Sequence, residues 1–113
     1  MMTMMNTSIN KTDNHDIAAL RARIMRVTPS LHHTASPEEW WLLGTVGCHL
    51  CDDAEQILAR LAAVYPIKYH YVDIADFDEP LMMHFATTIP VILTPSKRLN
   101  YPFSVVDLQQ LWL

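Results

Sequence analysis

The sequence predicts an α/β domain in which helices flank both faces of a four-stranded mixed sheet. Short apolar runs typical of strands alternate with stretches whose apolar residues recur at helical spacing. The predicted order is β-α-β-α-β-β-α, beginning near residue 40. At 113 residues the chain is long enough for one such domain and too short for two of ordinary size.

The elements of this domain are predicted from local patterns. Strands are expected at residues 40–45, 67–74, 91–94 and 98–103, and helices at 50–65, 78–86 and 104–112. The first two strands flank a helix, which predicts a parallel pair, whereas the short connection through Pro95 predicts an antiparallel hairpin. Ser104 and Asp107, three residues apart, predict a capping box at the start of the last helix.

The first 36 residues differ in composition from the remainder, and we expect a flexible or partly helical extension ahead of a domain at residues 37–113. Within the extension, four apolar residues recur at helical spacing: Ile17, Leu20, Ile24 and Val27. A docking helix and an Arg-rich targeting segment are two readings. The ordinary frequency of such patterns favours a third, a loosely attached helical appendage.

Composition excludes several classes of function. The net charge is −4 and the pI is near 5.8, which argues against nucleic acid as a principal partner. No apolar run approaches the length of a membrane span, and the Met-rich start lacks the pattern of a secretory signal. We therefore expect a cytoplasmic protein. In that reducing compartment, two cysteines three residues apart indicate chemistry rather than a disulfide scaffold.

Cys48 and Cys51 lie where the first predicted strand meets the first predicted helix. Residues three apart on a helix lie about 5–6 Å from each other, which suits a disulfide that opens and closes with little backbone movement. The helix N-terminus favours a thiolate, so Cys48 is the expected nucleophile and Cys51 the expected resolving thiol. A protonated His49 would lower the pKa of Cys48, whereas Asp52 would raise it.

Two other readings of this cysteine pair remain open beside redox exchange, which we prefer. The pair supplies half of a tetrahedral zinc site, which His70, His84 or a second subunit could complete. The pair could also be chemically inert. No residue set in the sequence identifies a complete metal site, so none is assigned.

The segment Gly47-Cys48-His49-Leu50-Cys51-Asp52-Asp53-Ala54, together with Thr88-Ile89-Pro90, resembles the glutaredoxin-like family of the thioredoxin superfamily. More narrowly, it is similar to small bacterial glutaredoxin-like proteins with a GTxGCHLC-type motif. The resemblance covers about residues 40–113. It implies a thioredoxin-like fold, a Cys48 nucleophile, and a cis Pro90 that faces the disulfide. It also implies that Thr88 and Ile89 help to bind the substrate.

The sequence departs from glutathione-using members of that family. Their usual Pro-Tyr dipeptide is His49-Leu50 here, and Phe103-Ser104 replaces their paired glycines. Asp107 matches an acidic position that meets the glutathione amino group, although helix capping explains it equally well. Other carboxylate contacts could come from three basic residues: Lys68, Lys97 and Arg98.

The expected function is a monomeric thiol–disulfide oxidoreductase that reduces protein or mixed disulfides. No tightly bound cofactor is expected, and glutathione is a candidate co-substrate. The alternative is a non-catalytic thioredoxin-fold binding or adaptor protein, with or without a metal.

Overall fold

The computed structural model of the protein describes residues 4–34 and 38–112. The predicted boundary between residues 36 and 37 lies outside these ranges, and the division into two segments stays a prediction. The described elements are α1 (Met4–Val27), α2 (Leu31–Thr34), β1 (Trp40–Gly44), α3 (His49–Val64), β2 (Tyr69–Asp73), a 3₁₀ turn (Ile74–Asp76), α4 (Glu79–Phe85), β3 (Val91–Leu93), β4 (Arg98–Asn100) and α5 (Val105–Trp112).

The four strands form one mixed sheet in the order β2-β1-β3-β4. Strand β1 pairs in parallel with β2, and β3 pairs antiparallel with both β1 and β4. The predicted parallel pair and the predicted hairpin are therefore confirmed. Strand β4 ends at Asn100, three residues earlier than predicted, where a cis Tyr101–Pro102 bond follows. Proline has no N–H to donate to a strand ladder.

Helices cover both faces of the sheet, as predicted, because β1 presents alternate side chains to opposite sides. Trp41 and Leu43 face α1 and α4, where they join a buried cluster that includes Phe85. Trp40 and Leu42 face α3 and α5 and belong to a second buried cluster with Leu58, Leu61 and Leu108. The sheet is therefore the shared wall of two apolar cores.

The second half of α1 is part of the first core. Ile17 and Ile24 are buried, and Leu31 of α2 is buried beside them. The helical spacing was predicted correctly, but the reading as a loosely attached appendage is wrong for residues 17–31. The sequence pattern identified the apolar stripe on α1. It did not indicate that this stripe would pack against one face of the sheet.

A buried cation joins α1 to the sheet. Arg21 is 7% exposed, its Nη1 donates to the Leu93 carbonyl oxygen at 3.0 Å, and its guanidinium lies 4.0 Å from the centre of the Trp41 ring. Burial lowers the pKa of Arg21 to about 10, and the nearby Glu39 carboxylate opposes that shift. Arg21 thus remains charged at neutral pH, and its hydrogen bond and its stacking on Trp41 offset the cost of its burial.

In the part of the chain that the structure describes, no helix has the length and apolar character needed to cross a lipid bilayer.

Replacing Arg21 with Ala should lower the free energy of unfolding by about 2 kcal/mol. The substitution removes a charge-assisted hydrogen bond to the Leu93 carbonyl and a cation–π contact with Trp41. Urea denaturation followed by circular dichroism measures the change. Arg23→Ala is the matched control on the same helix. Arg23 is partly exposed and 3.9 Å from Asp78, so its loss should cost no more than about 0.5 kcal/mol. Equal losses in the two variants would contradict the role given to Arg21.

Candidate thiol–disulfide site

The two cysteines occupy the first turn of α3 and form a disulfide. Their Cα atoms are 5.2 Å apart, within the range that an S–S bond accepts. Cys48 is the N-cap residue and is partly exposed, whereas Cys51 is 0% exposed. The pair thus has one residue in partial contact with solvent and the other inside the fold.

Backbone donors of α3 converge on Cys48. The Cys51 N–H lies 3.1 Å from Cys48 Sγ, and the N–H groups of Cys51 and Asp52 lie 3.1 and 3.2 Å from the Cys48 carbonyl oxygen. The Asp52 N–H makes the first i→i−4 bond of the helix, whereas the Cys51 N–H is one of the donors that have no such partner at a helix N-terminus. A thiolate on Cys48 would accept a hydrogen bond from the Cys51 N–H and interact favourably with the helix dipole.

The remaining residues of the first turn point to solvent. His49, Asp52 and Asp53 are exposed, and Leu50 is 49% exposed. The structure therefore places His49 and Asp52 beside Cys48, where charges act on a sulfur through Coulomb interactions. Their roles in tuning the pKa of Cys48 stay predictions.

The segment from Thr88 to Pro90 lies at the same end of the sheet as the cysteines. Val91, directly after Pro90, pairs with Leu43, and β1 ends one residue later at Gly44. The Ile89–Pro90 bond is cis, as the resemblance implied, and Pro90 is fully buried. The N–H groups of Thr88 and Ile89 both donate to the Phe85 carbonyl oxygen, at 2.9 and 3.0 Å. An extended substrate could therefore pair with Ile89 in one of two ways. It could displace the hydrogen bond from the Ile89 N–H to Phe85, or it could donate a hydrogen bond to the Ile89 carbonyl oxygen. The substrate-binding roles of these residues stay predictions.

Sequence reasoning missed a close approach at Gly44. A Cβ on this residue would lie 2.5 Å from Tyr71 Oη and 3.0 Å from Cys51 Cβ. The phenol of Tyr71 and the side chain of Cys51 therefore meet over the bare backbone of Gly44. The sequence contained one signal for this contact: a glycine ends the first predicted strand, and Tyr71 lies in the strand predicted to pair with it.

Strand β2 also holds the loop that leads to Cys48. The Tyr71 hydroxyl donates to the Thr45 carbonyl oxygen at 3.2 Å, and Thr45 Oγ1 donates to Asp73 Oδ1 at 2.9 Å. The same Thr45 carbonyl is 3.4 Å from the Cys48 nitrogen. Burial raises the pKa of Tyr71 above its ordinary value, and the carboxylates of Asp73, Asp52 and Glu55 add to the shift. The phenol consequently stays protonated and remains a donor at neutral pH.

The structure does not bring Lys68 and Lys97 to the cysteine pair. The Lys68 carbonyl accepts from the N–H of Trp40, the first residue of β1, and the turn containing Lys97 follows Leu93, which pairs with Trp41. Both lysines lie at the start of β1, whereas Cys48 follows its end. The five residues of the strand span about 13 Å, so the lysines are far from the cysteine pair.

Two other residues considered for glutathione contacts have partners within the fold. Arg98 donates to Asn100 Oδ1 at 2.9 Å and lies over Phe85, 5.2 Å from the ring centre, and its burial lowers its pKa. Asp107 Oδ2 accepts from the Ser104 nitrogen at 2.8 Å, and the Asp107 nitrogen is 3.3 Å from Ser104 Oγ. The predicted capping box is therefore confirmed.

The histidines considered as metal ligands make other contacts. His70 Nε2 is 3.0 Å from a Glu39 carboxylate oxygen, and the His84 ring packs edge-on against Phe85, 4.9 Å between centres. Among the side chains that the structure describes, those of residues 16–32 and 38–112, no three from His, Cys, Asp and Glu gather into a metal-binding group.

Together, the sheet order, the helices on both faces and the position of the cis-proline loop at the same end of the sheet as the cysteine turn define a thioredoxin-like domain. Residues 40–111 match the family described as "Glutaredoxin-like domain (DUF836)". The chain belongs to this glutaredoxin-like family.

A solved structure supports the same assignment. The chain is similar to the X-ray structure of the Northeast Structural Genomics target protein XcR50 from X. campestris, with 30% sequence identity and a TM-score of 0.55. The match covers 65% of this chain and 93% of that one. No curated protein sequence matches the chain.

Gly44→Ala should destabilise the protein by about 1–3 kcal/mol, because the added methyl group displaces either Tyr71 or Cys51. Thermal denaturation measures the loss, and near-ultraviolet circular dichroism reports the displaced tyrosine. Gly47→Ala is the control: Gly47 has φ +85°, but its Cβ would meet no atom within 4 Å. That variant should cost about 1 kcal/mol through backbone strain alone and leave the tyrosine signal unchanged. A Gly44→Ala protein as stable as the wild type would refute the close approach.

Proposed function

We propose that the protein is a thiol–disulfide oxidoreductase that reduces protein or mixed disulfides through Cys48 and Cys51. One observation carries the proposal: Cys48 is partly exposed at a helix N-terminus, and the buried Cys51 lies 5.2 Å away, Cα to Cα. A partly exposed Cys48 can react with an external disulfide, whereas the buried Cys51 can react only with Cys48.

The exchange proceeds in two steps. The Cys48 thiolate attacks one sulfur of the substrate disulfide, which forms a mixed disulfide and releases the first substrate thiolate to take a proton from water. Cys51 then loses its proton to solvent and attacks Cys48 Sγ, which forms the Cys48–Cys51 bond and releases the second substrate thiolate. Two electrons pass from the dithiol to the substrate. A low-molecular-weight thiol or a dithiol protein must reduce the Cys48–Cys51 bond for another turnover.

Protein disulfides suit the surroundings of Cys48 better than glutathione alone. Val46 is 88% exposed and Leu50 is 49% exposed, so apolar side chains lie on both sides of the nucleophile in the sequence. Such side chains gain by packing against a partner surface. Lys68 and Lys97 are distant, and Asp107 caps its own helix, which leaves fewer groups to hold glutathione.

The proposal includes a cytoplasmic location, because a reducing compartment supplies the thiols that regenerate the dithiol. We further propose that the protein acts as a monomer without a tightly bound cofactor. Glutathione remains a candidate co-substrate.

Cys51→Ser should trap the partner. A mixed disulfide on Cys48 can then no longer be resolved, so adducts should accumulate and disappear on treatment with a reductant. The variant is incubated with a disulfide-bonded peptide that carries apolar residues and, separately, with glutathione disulfide, and mass spectrometry detects the adducts. Faster adduct formation with the peptide is expected.

Cys48→Ser is the control for the trapping experiment and should form no adduct, because Cys51 is buried. Adducts on Cys51 would reverse the assigned roles. If neither variant forms adducts and the wild-type protein reduces no disulfide, the exchange function is wrong. Stoichiometric metal in the purified protein would then favour a binding or adaptor role.

A further inference from the structure

We propose that Tyr71 is a positioning residue for the second step of the exchange, in which Cys51 attacks Cys48. The inference rests on the proposed function and adds a residue on β2 to the two cysteines. Tyr71 contacts both halves of the site: its ring lies beside Cys51 over Gly44, and its hydroxyl holds the loop that carries Cys48.

The first half of the argument concerns Cys51. The position of a Cβ on Gly44 lies within 3.0 Å of both Tyr71 Oη and Cys51 Cβ, so these two side chains are neighbours. Cys51 itself is 0% exposed and belongs to a helix. The Cys51 side chain therefore has little freedom to search for a partner, and Tyr71 is one of its neighbours.

The second half concerns Cys48. The Thr45 carbonyl oxygen accepts from the Tyr71 hydroxyl at 3.2 Å and lies 3.4 Å from the Cys48 nitrogen. Asp73 holds the Thr45 side chain as well, at 2.9 Å. Two residues of β2 thus fix Thr45, and Thr45 in turn fixes the backbone at Cys48.

These contacts matter differently in the two chemical steps. When Cys48 attacks an external disulfide, the substrate can adjust its approach to a partly exposed sulfur. When Cys51 attacks Cys48, both sulfurs belong to the protein, and the rate depends on how well the fold aligns them. The disulfide no longer joins them at that stage, so noncovalent contacts alone hold the two residues in place. Loss of the Tyr71 hydroxyl should consequently slow resolution more than attack.

Tyr71→Phe tests the inference because it keeps the ring and removes the hydroxyl. Stopped-flow mixing of the reduced protein with a peptide disulfide bearing a chromogenic thiol gives the rate of attack. Release of the second peptide thiol gives the rate of resolution. Resolution should slow about tenfold, the size expected for one lost hydrogen bond, whereas attack should change less than twofold. The mixed disulfide should accumulate in the variant and not in the wild type.

Tyr69→Phe is the matched control. Tyr69 lies on the same strand and the same side of it, two residues earlier, and pairs with Trp40 at the end of β1 away from Cys48. In Tyr69→Phe, the ratio of the resolution rate to the attack rate should equal that of the wild-type protein. If Tyr71→Phe fails to fold, Thr45→Val is measured in the same way, since it removes the contact with Asp73 and loosens the same loop.

An equal slowing of both steps in Tyr71→Phe would show a merely structural role and overturn the inference, and so would unchanged rates. Equilibration with dithiothreitol gives a second readout, because poorer alignment of the two thiols should lower the equilibrium constant for forming the Cys48–Cys51 bond about tenfold. Failure of the proposed function gives a different result from failure of this inference. If the proposed function is wrong, the wild-type protein itself releases no second peptide thiol.

Discussion

The antiparallel pairing of β1 with β3 organises the candidate site. Leu43 lies opposite Val91, so the chain leaving β1 and the chain entering β3 meet at one end of the sheet. The first carries Cys48 four residues after Gly44, and the second carries Pro90 directly before Val91. If this pairing slipped by one residue, the side chains of β3 would exchange faces and the loop at Thr88 would move away from the cysteines. The two apolar cores fix the register because each buries alternate residues of the same strands.

The parallel pairing of β1 with β2 supplies the support beneath the cysteines. Tyr71 and Asp73 lie on the face covered by α3 and reach the end of β1, where Thr45 accepts from one and donates to the other. The Tyr71 phenol and the Cys51 side chain can approach the β1 backbone closely because residue 44 is a glycine and has no side chain. The residues around the disulfide are thus held by a neighbouring strand as well as by the helix that carries them.

The N-terminal helix packs against the other face of the sheet. Trp41 and Leu43 would be exposed there without α1, and Ile17 and Ile24 cover them. Arg21 is charged and buried in this layer, and its interactions with the Leu93 carbonyl and the Trp41 ring offset the cost of burying that charge. The glutaredoxin-like match begins at residue 40, so this helix lies outside the matched segment.

Much of the fold could be predicted from local sequence patterns. The alternation of short apolar runs with helical stripes gave the element order, and the motif around Cys48 gave the family. The contacts of Tyr71 with Gly44 and of Arg21 with Trp41 could not be predicted in this way, since each joins residues more than 15 positions apart. Sequence spacing identifies which residues share a face, but it does not specify which element will cover that face. The same limit explains why Lys68 and Lys97 were candidates for carboxylate contacts, whereas strand pairing places them at the end of the sheet away from Cys48.

The central claim is that Cys48 is the reactive thiol and Cys51 the protected one. The most direct test is the rate of alkylation of the reduced protein by iodoacetamide as a function of pH, with the modified residue identified by mass spectrometry. We expect Cys48 to react first, with a pH midpoint below about 8.5, the ordinary value for a free thiol. Modification of Cys51 before Cys48, or a Cys48 midpoint at or above that value, would contradict the account.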